Sequence, residues 1–131
     1  MAGKKLTCLK CAQLNRVPFD KLSDGPKCGS CGAALMPSKA IEITPAILMK
    51  ASASDYVPLV VDFWAPWCGP CKMMGPEFDK AARALAGKAR LVKVNTKAHQ
   101  SVSGKMRIKG IPTKIVWQNG REGKRQAGAM K

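Results

Sequence analysis

An apolar run interrupted by a single carboxylate, Leu59-Val60-Val61-Asp62-Phe63-Trp64, stops at Ala65-Pro66 and gives way to Trp67-Cys68-Gly69-Pro70-Cys71 and a helical stretch from Lys72 to Leu85. A run this rich in Val, Phe and Trp reads as a buried strand, and the turn after it leads straight into a helix. Cys68 therefore stands where a helix begins. Unpaired backbone N–H groups and the positive end of the helix dipole favour a thiolate there, lowering its pKa by about one unit or more. The thiolate is the species that attacks a disulfide. Cys71 lies three residues on, on the same helical face and within bridging reach, but inside the first turn where solvent access is poorer. Cys68 is thus the expected nucleophile and Cys71 the resolving thiol.

With 131 residues and 46% hydrophobic content, the chain can hold one compact domain and a small appendage. No segment is apolar enough to span a membrane. The opening residues Met1-Ala2-Gly3-Lys4-Lys5-Leu6-Thr7-Cys8 have no apolar stretch behind their basic residues, which argues against secretion and for a cytoplasmic setting. In that compartment paired cysteines are catalytic or metal-binding more often than structural disulfides, so all six need one of those accounts.

Four of them form Cys8-Leu9-Lys10-Cys11 and Cys28-Gly29-Ser30-Cys31-Gly32, with sixteen residues between the pairs. That is zinc-ribbon spacing: one tetrahedral Zn2+ takes four thiolates from two short knuckles, and Gly29 and Gly32 let the chain fold tightly around the sulfurs. Free thiols, or two further redox pairs, are the competing readings. A ribbon this short is not expected to build its own core, so the metal supplies most of its folding energy. Residues 1–36 are assigned to this ribbon and residues 37–131 to a second domain, joined by a linker at Met36-Pro37-Ser38-Lys39.

In the second domain, Ala40-Ile41-Glu42-Ile43 alternates as a short strand, and Thr44-Pro45 caps and starts a helix that ends near Ser54-Asp55. After the helix that follows Cys71, Gly87 is a stop and Leu91 to Asn95 a strand, with a short helix from Gln100 to Met106. Lys114 to Trp117, Asn119-Gly120 and Glu122 to Gln126 read as a hairpin.

Val61 to Lys72, Ile111-Pro112-Thr113 and Asn119-Gly120, in this order, resemble thioredoxin, and with the four-cysteine ribbon in front the chain resembles the bacterial zinc-ribbon thioredoxins from Cys8 to about Gly128. The resemblance implies an α/β thioredoxin-like fold, with a central mixed sheet flanked by helices behind a small N-terminal zinc ribbon. It also implies a protein-disulfide reductase that acts on oxidised protein substrates and is recycled by an NADPH-dependent thioredoxin reductase. A carboxylate within the apolar strand should be buried with a raised pKa. Asp62 is then either a satisfied structural group or, as the resemblance implies, the base that takes the Cys71 proton through a water. Lys93 matches the family's lysine on the neighbouring strand, where it either tunes Asp62 or snorkels to solvent. The resemblance further implies a cis proline at Pro112 and an exposed apolar docking patch made by Trp67, Gly69, Pro70, Ile111, Pro112, Gly128 and Ala129, with Ile111 pairing to an extended substrate.

Pro76 should kink the active-site helix, and Met73, Met74, Met106, Phe78 and Trp117 read as core filler. His99, the single histidine, reads as a surface residue. The 23 Lys and Arg against 8 Asp and Glu, for a net +15, allow steering of acidic partners and nonspecific nucleic-acid binding. A nucleic-acid or protein-binding module on a thioredoxin-like scaffold is one alternative function, although the basic residues are spread along the chain and few aromatics are free to stack on bases, so nucleic acid is disfavoured. A disulfide oxidase or isomerase is another, disfavoured by Gly69-Pro70. Family members continue past Gly128-Ala129 into an amphipathic helix that this sequence lacks, which predicts apolar exposure on the terminal hairpin and, with it, reduced stability, self-association, or cover from a partner or from the ribbon itself.

Overall fold

The computed structural model describes residues 4–108 and 110–127. Two short antiparallel strands open the chain, β1 (Lys4–Thr7) and β2 (Leu14–Val17), with Thr7 opposite Leu14. The main sheet has five strands in the order β3 (Ile41–Glu42), β5 (Arg90–Asn95), β4 (Leu59–Trp64), β6 (Thr113–Gln118), β7 (Arg121–Ala127). Strands β3, β5 and β4 run parallel and β6 and β7 antiparallel, the mixed sheet expected.

Strand alternation decides what each face meets. Leu59, Val61 and Phe63 of β4 share a buried cluster with Ile47, Leu48 and Ala51 of helix α1 (Pro45–Ser54) and Val102 of helix α3 (Ser101–Lys105). Each fully buried Val, Leu or Phe side chain among these contributes about 1.5–3 kcal/mol. Val60 points the other way and packs with Phe78, Ala82 and Leu91 beneath helix α2 (Gly69–Ala84). Asp62 and Trp64 share the parity of Val60, so they too lie on the α2 side.

Local chemistry sets the boundaries. Thr44 Oγ1 accepts from Ile47 N at 3.3 Å and Pro45 takes the first helical position, starting α1 where the sequence places it. Asn119 and Gly120 close the β6–β7 hairpin with φ of 54° and 79°. A Cβ on Gly120 would also stand 3.0 Å from the carbonyl oxygen of Ala53, so both backbone and space call for glycine there. Helix α2 runs from Gly69 through Pro76 to Ala84 as one element.

Three expectations change. The ribbon is not without a core: Leu6, Val17, Leu22, Leu35 and Met36 cluster with Val57, and Leu9 joins the main core. The apolar surface it lacks is borrowed from the larger domain. Met73 is exposed rather than core filler, because it lies on the outer side of α2 from Phe78. On the α2 side of the hairpin, Val116 is half-buried and faces Lys124, while Lys114 faces Gln126, so among the described residues no large apolar side chain is exposed where bare apolar surface was expected.

A buried ion pair joins ribbon to sheet. Arg90, fully buried, donates from Nη2 to Asp55 Oδ2 and from Nη1 to the carbonyl oxygens of Thr7 at 2.8 Å and Leu35 at 3.2 Å. Asp55 Oδ1 accepts from Thr7 N at 2.8 Å, and Tyr56 N donates to Lys5 O at 3.0 Å. The ammonium of Lys50 reaches the carbonyl of Ala12. Among the described residues, no helix is long and apolar enough to cross a membrane.

Candidate active site and metal centre

Cys68 and Cys71 form a disulfide, with Cα atoms 5.3 Å apart. Cys68 is the N-cap of α2 and its sulfur accepts from Cys71 N at 3.2 Å, so both expected thiols occupy the positive end of the helix. They are buried against Ala65, with Trp64 and Ile111 packed alongside. Beside them Trp67 is 69% exposed, and Gly69 and Pro70 are exposed on the same turn.

Asp62 lies beneath α2, between Val60, which packs against Phe78, and Trp64, which packs against the disulfide. It is 1% exposed, and burial pushes its carboxyl above the ordinary range, with Lys114 and Lys93 opposing and Glu42 adding to the rise. Lys93, expected either to tune it or to snorkel to solvent, places its ammonium 4.9 Å from the centre of the Trp64 ring. The nearer cation is Lys114, whose Nζ is 4.0 Å from Asp62 Oδ1. The sequence reading passed over Lys114. Its signal was available, since a lysine follows Thr113 in a strand whose other positions are mostly apolar.

The second constellation is the four-cysteine cluster. The sulfurs of Cys8, Cys11, Cys28 and Cys31 all lie within 4.8 Å of one another, with Cys8 to Cys31 at 3.5 Å and Cys11 to Cys28 at 3.6 Å. The two knuckles are built alike: Cys8 N donates to Gln13 O and Ala12 N to Cys8 O, while Cys28 N donates to Ala33 O and Gly32 N to Cys28 O. The equivalent residues Ala12 and Gly32 both adopt positive φ, 69° and 78°. Gly32 carries the turn as expected, whereas the first knuckle turns on alanine. Sulfurs receive N–H donors from the chain: Cys8 from Lys10 and Cys11 at 3.4 Å each, and Cys28 from Ser30 at 3.4 Å. The side-chain amide of Asn15, with backbone donors, pulls the Cys28 thiol down to about 6. Four converging sulfurs, those of Cys8 and Cys28 with donors that favour the thiolate, suit a tetrahedral metal.

The Thioredoxin family profile matches residues 39–131, and the profile described as Thioredoxin 2, N-terminal, matches residues 7–33. This chain belongs to the thioredoxin family. It is 34% identical over 126 residues to Thioredoxin C-3 of Corynebacterium nephridii, covering 96% of this chain and 86% of that one. Over 93 residues it is 37% identical to the thioredoxin of Haemophilus influenzae, covering 71% of this chain and 87% of that protein. The crystal structure of chloroplastic thioredoxin z superposes with a TM-score of 0.65 at 32% identity, over 70% of this chain and 83% of the other. As a thioredoxin with a Cys68–Cys71 disulfide, the protein is a thiol-disulfide oxidoreductase.

The remaining thioredoxin positions divide. The Ile111-Pro112 bond is cis and Ile111, half-buried, packs against the disulfide. Pro112 itself is buried, so it underlies the expected docking surface instead of lining it, because the next residues enter β6 beneath the helices. Gly128 and Ala129 lie outside the described residues. His99 is half-buried at the turn before α3, where its N–H donates to Asn95 O at 3.1 Å.

Proposed function

We propose that this thioredoxin reduces disulfides of protein substrates in a reducing compartment such as the cytoplasm and is recycled by thioredoxin reductase. The Cys68–Cys71 disulfide at the head of α2 carries the reading. The Cys68 thiolate attacks one sulfur of a substrate disulfide, forming a mixed disulfide and releasing the other sulfur as a thiolate. Asp62 takes the proton from Cys71, and the Cys71 thiolate attacks Cys68 sulfur, so that the Cys68–Cys71 bond forms and the substrate leaves reduced. Two electrons from NADPH, through the reductase, restore the dithiol. Burial of Asp62 under α2 on the dithiol's side of the sheet supports its role as base. Trp67, Gly69, Pro70 and Ile111 form the docking surface, with the backbone of Ile111 offered to an extended substrate.

Zn2+ is the metal proposed for Cys8, Cys11, Cys28 and Cys31. A tetrahedron with Zn–S bonds of about 2.3 Å has S···S edges of about 3.8 Å, close to the 3.5 Å and 3.6 Å found between knuckles. Bound zinc neutralises thiolate charge and stabilises the fold, and the closed set of four sulfurs leaves it a structural role.

The test is NADPH oxidation with thioredoxin reductase and a protein disulfide, comparing this chain with Cys68→Ser. Turnover that disappears in the variant is expected. A folded, zinc-loaded wild type that gives no turnover would refute the reading.

A further inference from the structure

Asp62 has a lysine directly opposite it on each neighbouring strand, Lys93 on β5 and Lys114 on β6. The three side chains make a row across the face that α2 covers. The lysines are not equivalent. Lys93 rests its ammonium over Trp64, whereas Lys114 Nζ lies 4.0 Å from Asp62 Oδ1 and 5.6 Å from the Phe78 ring centre. The Lys114 side chain is 12% exposed, so its charge is held at that place rather than in solvent. At 4.0 Å the contact is too long for a hydrogen bond, and Asp62 Oδ1 is buried with no hydrogen-bond donor among the described residues. Coulombic attraction, weakly screened beneath the helix, therefore acts on that oxygen.

We propose that Lys114 is a positioning residue for dithiol exchange, its ammonium keeping the Asp62 carboxylate charged and ready for the Cys71 proton at neutral pH. The inference rests on Asp62 being the base of the exchange. In the step concerned, Cys71 S–H gives its proton to the Asp62 carboxylate, the Cys71 thiolate bonds to Cys68 sulfur, and the substrate sulfur leaves with the electron pair of the broken bond. Lys114 remains protonated throughout. Among the described residues, the charged groups acting on Asp62 are Lys114 from β6, Lys93 from β5 and Glu42 from β3, while Cys68 and Cys71 stand at the head of α2, the helix that covers this face. Glu42 opposes the lysines and is exposed, where it accepts from Trp64 Nε1 at 3.2 Å. Burial lowers Lys114 while Asp62 raises it, the reciprocal side of the same attraction.

Stopped-flow reaction of the reduced full chain with a chromophoric aromatic disulfide separates two thiol releases, the first from Cys68 attack and the second from Cys71 attack. Lys114→Met, Lys114→Arg and Lys93→Met are compared across pH, and the Asp62 carboxyl is titrated in each by carbon-13 NMR. In Lys114→Met the midpoints of the second release and of the carboxyl titration should rise together by about one to three pH units, an opposite charge having been removed. The pH dependence of the first release should not follow, Lys114→Arg should restore the wild-type midpoints, and Lys93→Met should shift them less. A carboxyl midpoint unmoved in Lys114→Met would overturn the part given to Lys114. A carboxyl midpoint that moves while the second release does not would overturn the inference through the part given to Asp62.

Discussion

The ribbon and the active-site turn use the same Cys-x-x-Cys spacing for opposite ends. At the head of α2 the two sulfurs bond to each other, alone at a helix terminus with Trp67 exposed beside them. In the ribbon the short contacts run between knuckles, Cys8 with Cys31 and Cys11 with Cys28. A pair with no other sulfur near it can cycle between thiol and disulfide, whereas two pairs brought face to face make a ligand set. Spacing within a pair does not choose between these chemistries. The distance to the next pair does, and here the β1–β2 hairpin and the turn at Lys27 and Ala34 set that distance.

The sharpest way to break this contrast is to exchange one sulfur at each place. Cys68→Ser should abolish disulfide turnover while leaving bound zinc at one ion per chain by elemental analysis. Cys28→Ser should lose the metal and the ordered ribbon amides in NMR spectra, yet keep the Cys68–Cys71 disulfide. Metal loss from the first variant would mean that the two sites are not separate.

The seam between the regions gives the next largest effect. Arg90→Met strips the buried Asp55 carboxylate of its partner and leaves the Thr7 and Leu35 carbonyls without their donor, at a cost of about 3–5 kcal/mol in urea unfolding. The ribbon should loosen with it. An undiminished stability would show that the Arg90 pair adds nothing to the hold between the regions.

Asn15→Ala should lower zinc affinity by about 10–100-fold in a chelator competition, because Asn15 binds Cys28 sulfur at 3.5 Å and Gly29 N at 3.0 Å. Turnover at Cys68 should be untouched. Asp62→Asn tests the other region through stability. Burial raises the folded-state pKa of Asp62. Between the ordinary Asp value and that raised value, the unfolded chain has lost a proton the folded chain keeps, so wild-type stability falls by about 1.4 kcal/mol per pH unit. Asp62→Asn should lack this fall, being the more stable protein at neutral pH and losing the advantage in acid. The smallest effect is Ala12→Gly, which should stabilise the first knuckle by about 0.4–1 kcal/mol in thermal unfolding by relieving alanine at a φ of 69°.

Most of the fold and the dithiol were legible before any coordinates, because their signals are local. A Thr-Pro cap, an Asn-Gly turn and an apolar run each impose a conformation over a few residues, and α1, the hairpin and β4 follow. Lys114 was missed because its meaning depends on register: only when β6 pairs with β4 does it come opposite Asp62. Met73 was misread because Met favours interiors on average, while its place on the helix is set by which side of α2 meets the sheet. Arg90 carried no signal at all, since a basic residue at the start of a strand is ordinarily exposed.

The sequence by itself determined the redox pair, its position at a helix head, the two cysteine pairs of the ribbon and the order of strands and helices from β3 onward, all of which rest on residue type and short spacing. Tertiary structure alone decided which lysine comes nearer Asp62, that Pro112 is buried, and that the ribbon shares its core and a buried Asp55–Arg90 pair with the sheet. The physical reason is reach. Capping, turns and helix dipoles act within a turn or two of chain, but burial and ion pairing act between residues that only the folded register brings together.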